Sequence, residues 1–419
     1  MSGAPGEKHL KFLRWAVSRG IEINGIAPAR FPGRGLGMIT TRAIEEDEVM
    51  LSVPVELMLT IDSLPSEFKS RLPEGTSVHG VLTAFLMHGD PELISELDGW
   101  RAMWPAWEEF ENSMPIFWPR NLRVLNSESA SASQENESRS ERVLLPPSIS
   151  GLWNTFDKRP VDIEYGTRYQ NLLAQQEKRL QDAWTHVVAA FPDTDWKTFA
   201  YHWSIIGTRS FYYISPERGE PEDWNDALAM VPFADYFNHA DDSTCEARFD
   251  GKAYKFTATR RYEEGEEIYI CYGSHSNDFL LVEYGFCLDN NPSDAIYLDD
   301  VIFQELAEAE QKELSAYNCL GNYEVTSSGP SKSTLAAAGL KYMSQKNWRR
   351  YVSGTAQQGF REKKTADVVQ GWIRTYLRES TVAVDYLTKL SNTAKLAIIL
   401  SRWEQIQRIC EGALATTTN

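Results

Sequence analysis

Two stretches of the 419-residue sequence concentrate side chains able to do chemistry. The first, Ala229 to Ala240 (AMVPFADYFNHA), is an apolar, strand-like run broken by Pro232 that ends in the pair Asn238–His239. The second, Glu267 to Phe286 (EIYICYGSHSNDFLLVEYGF), reads as a strand closing at Tyr272–Gly273, then a helical turn, then Tyr284–Gly285–Phe286. Asp235 and His239 lie four apart and would share a helix face, which admits a metal reading with His275 and Asp278 as conceivable further ligands. Pro232 and the run before it argue against a helix there, and no third ligand has suitable spacing, so a hydrogen-bonded Asn–His turn is the plainer reading. Tyr269, Tyr272 and Tyr284 carry hydroxyls that need partners when buried, and taken singly each reads as core. Far upstream, Arg34-Gly35-Leu36-Gly37 could bring the backbone close to a ligand and offer its N–H groups. Alone this reads as a turn, because no third glycine opens a helix after it as a nucleotide fingerprint requires.

The elements that must hold these residues follow from periodicity. Glu7 to Arg19 predicts a short amphipathic helix. Ile21 to Glu45 then turns β-like, with a loop at Phe31 to Gly37, a strand from Met38, and another over Val49 to Pro54 beyond the acidic turn Glu45 to Glu48. Between about Thr60 and Arg209 the period becomes helical, over Val78 to Met87, Ile94 to Trp107, Glu164 to Phe191 and Trp196 to Ile206. Within it Asn126 to Arg142 has no apolar residue larger than Ala and reads as a surface insertion that cannot offset its ordering entropy. β character returns from Ala227 to Tyr272, where Asp250–Gly251 is a two-residue hairpin signal. From Asp299 helices dominate, ending in an apolar stripe of Leu396, Ile399, Leu400, Trp403, Ile406, Cys410 and Leu414.

Composition narrows the class. The length favours two domains, and 42% apolar with 24% charged residues describes a folded, soluble protein. A formal charge of −17 argues against a nucleic-acid binder and suits a basic protein partner. No apolar run is long enough to span a bilayer, so membrane and secretory roles are disfavoured. Five scattered cysteines with no C-x-x-C pair fit reduced thiols in the cytoplasm or nucleus rather than a zinc site.

Taken together and in this order, Arg34-Gly-Leu-Gly37, Arg209, Asn238–His239, Tyr272 and Tyr284-Gly-Phe286 resemble the motifs of the SET-domain methyltransferases, over roughly residues 20 to 290. The similarity is greatest to the branch typified by the plant Rubisco large-subunit lysine methyltransferase. The resemblance implies an α+β fold. A SET-domain β-fold with a threaded segment (a pseudoknot) and a helical insertion at about 60–209 would occupy 20–290, and an all-α substrate-binding domain would occupy 291–419. It also implies S-adenosylmethionine as cofactor, with S-adenosylhomocysteine as product. Arg34, Gly35, Leu36, Gly37, Asn238 and His239 would hold the cofactor, Phe286 would lie against its adenine, and Arg209 would contact cofactor and substrate. Tyr272 would sit beside the transferring methyl as the catalytic residue, while Phe211, Asp235 and Tyr284 would line the lysine channel. No metal is implied.

The chemistry suits these residue types. Freeing the lone pair of a lysine with pKa about 10.4 costs roughly 4–5 kcal/mol at pH 7, and a desolvating channel lowers that cost. Alignment of amine, methyl carbon and sulfonium then supplies much of the acceleration. The related branch that methylates an actin histidine has an Asn two residues after its Arg and a Trp before its Asp. Phe211 and Ala234 stand there in this sequence, which favours lysine. The expectation is therefore a monomeric lysine N-methyltransferase acting on an exposed lysine of a non-histone protein. The alternatives are an inactive SET-fold adaptor and a protein-histidine methyltransferase.

Overall fold

The computed structural model describes residues 3–32, 34–123, 143–155, 165–355, 359–390 and 393–416. The expected surface insertion at Asn126 to Arg142 lies outside the described residues. The chain divides into two compact units, one of residues 1–110 with 177–274 and one of 111–176 with 275–419. Neither is coextensive with the expected domains, since residues 111–176 and 275–290 group with the C-terminal helices.

Ten short strands shape the first unit: β1 (Glu22–Ile23), β2 (Ile26–Phe31), β3 (Gly35–Thr40), β4 (Val49–Pro54), β5 (Ser210–Tyr212), β6 (Leu228–Met230), β7 (Asn238–His239), β8 (Cys245–Phe249), β9 (Ala253–Ala258) and β10 (Glu267–Ile270). They form one sheet in the order β1-β4-β9-β8, a second in the order β2-β3-β10-β7, and the pair β5-β6. The hairpin signal Asp250–Gly251 does what its chemistry dictates. The Asp250 carboxylate accepts the backbone N–H groups of Lys252 and Ala253, both at 2.9 Å, and this sets Phe249 opposite Tyr254. Along β9 the side chains of Tyr254, Phe256 and Ala258 are buried while those between are half-exposed, the period of a strand with one face on a core.

β7 pairs in parallel with β10, Asn238 opposite Tyr269 and His239 opposite Ile270. Parallel neighbours need a crossover connection. Here that connection is the β8–β9 hairpin, which leaves for the other sheet before the chain returns as β10.

The helical part of this unit contains Val78–His88, capped by Ser77, which accepts the Gly80 N–H at 3.1 Å, and Trp196–Arg209, capped by Asp195, which accepts the Thr198 N–H at 2.8 Å. His79 locks the two together: its ring stacks on Trp203 at 4.5 Å and its Nε2 donates to the Trp203 carbonyl at 2.7 Å. The expected long helix over Ile94 to Trp107 is broken instead into Pro91–Ser95, Asp98–Arg101 and Trp107–Ser113. Pro105 lies in the gap and cannot donate to a helical ladder.

The second unit is dominated by helices, the longest being Glu362–Leu387 and Ala394–Thr416. The region expected to be all-helical also carries a small antiparallel sheet, β11 (Ala295–Tyr297), β12 (Glu324–Thr326) and β13 (Gly329–Pro330). Trp403 in the last helix donates its indole N–H to the Leu144 carbonyl at 2.7 Å. Next to it in sequence, Arg402 is fully buried and donates to Asp278 at 2.7 Å and Asp294 at 2.6 Å. Among the described residues no helix is long and apolar enough to cross a membrane.

Candidate active site

Sheet order β2-β3-β10-β7 brings together the Asn–His pair, the strand leading to Tyr272 and Gly35 to Gly37, which pair with β2 as the start of β3 rather than forming the expected loop. Gly37 is where β3 meets β7 most closely. A Cβ on residue 37 would lie 2.6 Å from the Asn238 amide nitrogen and 2.9 Å from Glu267 Oε1, so any larger residue would push the pair apart. The Asn238 amide donates to the Leu36 carbonyl and to Glu267 Oε1, both at 3.0 Å. The other Glu267 oxygen accepts the Tyr269 hydroxyl at 2.7 Å and the Arg34 guanidinium. Arg34 lies over the rings of Phe31 and Tyr269, at 5.8 Å from each.

One residue on, His239 and Tyr272 form a second pair. Their rings stack at 5.0 Å. The Tyr272 backbone N–H donates to His239 Nδ1 at 3.1 Å, and the Tyr272 hydroxyl donates to the Phe237 carbonyl at 2.6 Å. Nδ1 also lies 3.4 Å from the Ile270 carbonyl, but the shorter contact from the Tyr272 N–H makes it an acceptor, so the ring proton is assigned to Nε2 and the imidazole is neutral. Burial lowers the His239 pKa accordingly. Burial, with opposing contributions from Arg209 and Asp235, pushes the Tyr272 phenol up to about 12, so its proton stays on at neutral pH.

Phe233 delivers Asp235. It is a fully buried non-glycine residue at φ +70, ψ −33, a conformation that costs about 1–3 kcal/mol and persists only when surrounding packing enforces it. The Phe233 ring lies between Phe12 at 5.8 Å and Tyr236 at 5.4 Å. The single 3-10 turn Ala234–Tyr236 follows, and the helix that the metal reading of Asp235 and His239 required is not formed. Asp235 Oδ2 accepts from the Trp100 indole at 3.1 Å and from Arg209 at 3.4 Å, and its backbone carbonyl accepts from Arg209 at 3.2 Å. Burial holds the Asp235 carboxyl above the usual carboxylate range, against the pull of Arg209. The Arg209 Nε is buried with no hydrogen-bond partner, a donor held ready for a group outside the chain. Phe211, on β5, packs beside two aromatic rings, 5.4 Å from Tyr254 and 5.5 Å from Phe256.

Tyr284 and Phe286 belong to the second unit. They flank Gly285, which caps the helix Asn277–Tyr284 at φ +81, and their rings lie 6.2 Å apart. A Cβ on residue 285 would also meet the Ser113 hydroxyl at 2.6 Å, so glycine is required there for space as well as for handedness. Three contributors escaped the sequence reading. Trp100 and the Phe237 carbonyl left no signal, since one is distant in sequence and the other is backbone. Glu267 did leave one: strand alternation puts it on the same face as Tyr269.

Comparison with known proteins agrees with this geometry. The SET domain family matches residues 35–273, more than half of the chain. Human SET domain-containing protein 4 is 21% identical over 97% of this chain and 90% of its own length. The ribosomal lysine N-methyltransferase of Schizosaccharomyces pombe is 34% identical over 35% of this chain and 37% of its own, and the rat actin-histidine N-methyltransferase is 26% identical over 68% and 43%. The crystal structure of the SET domain of LSMT bound to lysine and AdoHcy superposes with a TM-score of 0.61 at 16% identity, covering 98% of this chain and 91% of that one. With the family's matched region running from β3 through β10 and taking in Asn238, His239 and Tyr272, the chain belongs to the SET-domain methyltransferase family.

Proposed function

We propose that this protein is an S-adenosylmethionine-dependent lysine N-methyltransferase acting on a non-histone protein. The observation that carries the reading is the parallel register of Asn238–His239 against Tyr269–Ile270, next to a Gly37 whose Cβ would displace the Asn238 amide and Glu267. That register puts the Asn238 amide, the His239 ring and the Tyr272 hydroxyl on neighbouring positions. The buried, unpartnered Arg209 Nε supports occupation of the site by a further polar group. Arg34 to Gly37, Asn238, His239 and Arg209 would hold the cofactor, and Phe211 and Asp235 would line the approach of the substrate.

Bound S-adenosylmethionine supplies the electrophilic methyl group. The chain's own part is orientation and electrostatics. Tyr272 keeps its proton at neutral pH and donates it to the Phe237 carbonyl, so it is not the base that deprotonates lysine. Its oxygen and that carbonyl oxygen present negative partial charge where positive charge develops. Asp235, held by Arg209 and Trp100, stiffens the wall beside them. Desolvation of the incoming amine lowers the roughly 4–5 kcal/mol needed to free its lone pair.

A second reading, transfer to histidine, is favoured by the likeness to the actin-histidine enzyme. The test is calorimetric binding of S-adenosylmethionine, followed by labelled transfer into a lysate and mass spectrometry of the labelled peptide. Binding, a methylated lysine, and loss of transfer in folded Asn238→Ala and Tyr272→Phe variants are expected, the latter falling about 10²-fold or more. A methylated histidine would select the second reading, and no binding at all would overturn both.

A further inference from the structure

We propose that Glu267 is a positioning residue of the cofactor site, which fixes the way Asn238 presents its amide; this rests on the methyltransferase reading above. A primary amide has two N–H donors at one end and a carbonyl acceptor at the other. Both acceptors that face Asn238 are oxygens: the Leu36 carbonyl and Glu267 Oε1, each 3.0 Å from the side-chain nitrogen. With its N–H groups directed at these two, Asn238 turns its Oδ1 the other way, as an acceptor for a cationic or N–H-bearing group. A flipped amide would set oxygen against both a carbonyl and a carboxylate, in a place where Gly37 already leaves no slack.

Glu267 can hold this orientation because it is itself held. Its side chain is only 7% exposed. Its second oxygen takes the Tyr269 hydroxyl at 2.7 Å and the Arg34 guanidinium, and Arg34 in turn spans the rings of Phe31 and Tyr269. The carboxylate thus joins β10, the turn between β2 and β3, and β7 at one point. Burial, then the Glu267 contact, pushes the Tyr269 phenol up to about 12, so this hydroxyl remains a donor to the carboxylate through the physiological range. The strand side of Glu267, where Glu267 pairs with Ile39 and Ile268 with Met38, provides the backbone anchor. Glu267 need not touch the cofactor to do this; it acts through Asn238.

Orientation and charge make opposite forecasts for two conservative changes. Glu267→Gln keeps an acceptor toward Asn238 but loses the charge and turns an NH2 group toward the Arg34 guanidinium and the Tyr269 hydroxyl, both of which donate to Oε2 in the wild type. Glu267→Asp keeps the charge and withdraws the acceptor by one methylene. Glu267→Met keeps the length and removes the acceptor altogether. The experiment is calorimetric binding of S-adenosylhomocysteine, with the KM for cofactor and for protein substrate measured on each folded variant.

The Gln variant, which still offers Asn238 an oxygen, should bind more tightly than Asp or Met, which should weaken binding and raise the cofactor KM by tenfold or more, leaving the KM for protein substrate unchanged. A purely structural role would lower the folded fraction and kcat without this split. Retention in Asp with loss in Gln would mean that charge, not orientation, matters, and would overturn the proposal. So would unchanged cofactor binding in Asp, which remains decisive even if Met fails to fold. Absence of binding in the wild-type protein would refute the underlying methyltransferase reading instead.

Discussion

His239 shows how a single ring couples packing to pH. Its Nδ1 accepts the Tyr272 N–H, which only the neutral imidazole can do, and burial lowers its pKa below the ordinary 6.5. With a folded-state pKa below the unfolded one, the stability this residue contributes is fully present above about pH 6.5 and is lost as pH falls through the lowered value. Cofactor affinity measured by calorimetry should hold steady at neutral pH and decline only as pH falls through the lowered His239 value. His239→Gln, which has no titrating ring but can still accept the Tyr272 N–H, should flatten that decline. Asn238, His239 and Tyr272 were legible in the sequence because their types and order are unusual. Glu267 heads the strand the sequence shows, but an acidic residue following Glu264 and Glu266 gives no reason to expect burial, and its side chain turns inward only in the strand register. Phe233 was illegible, because nothing in an apolar run marks a position where packing enforces a left-handed backbone.

The strands and the hairpin turn were the most readable elements: Val49–Pro54 and the hairpin about Asp250–Gly251 fall where alternation and turn chemistry put them. The last helix was read correctly as apolar but incompletely. Its buried face carries Arg402 and Gln405 among Ile399, Trp403 and Ile406, and no periodicity argument reveals that partners await them. Arg402 bonds Asp278, Asp294 and Gln405, while Asp294 also accepts the Asn277 N–H at 2.9 Å. The C-terminal helix thereby clamps the first turn of Asn277–Tyr284, the helix that ends in Tyr284–Gly285–Phe286. Arg402→Met should destabilise the protein by about 3–5 kcal/mol, because it strands two buried carboxylates. Adding Asp278→Asn and Asp294→Asn should recover part of that loss, as read by denaturant unfolding. A single variant as stable as wild type would show that the clamp contributes nothing.

For the molecule as a whole, net charge is the property most exposed to experiment. A chain at −17 attracts a basic partner over distances that salt shortens, the Debye length being about 8 Å at physiological ionic strength. With a basic protein substrate, kcat/KM should fall roughly tenfold between low and moderately high salt, while the KM for cofactor moves little. A flat salt profile would mean that the substrate is not drawn in by the acidic field. The crossover between β7 and β10 has a different consequence. Asn238 and Tyr269 become neighbours only after the chain between them has left to complete another sheet and come back, so loop closure must precede any reward from that contact. A nascent chain halted before residue 267 would hold β3 with Gly37 and β7 with Asn238 and still lack the strand that joins them. Retention on an immobilised S-adenosylhomocysteine resin would accordingly report completed assembly, separating finished molecules from those that have merely collapsed.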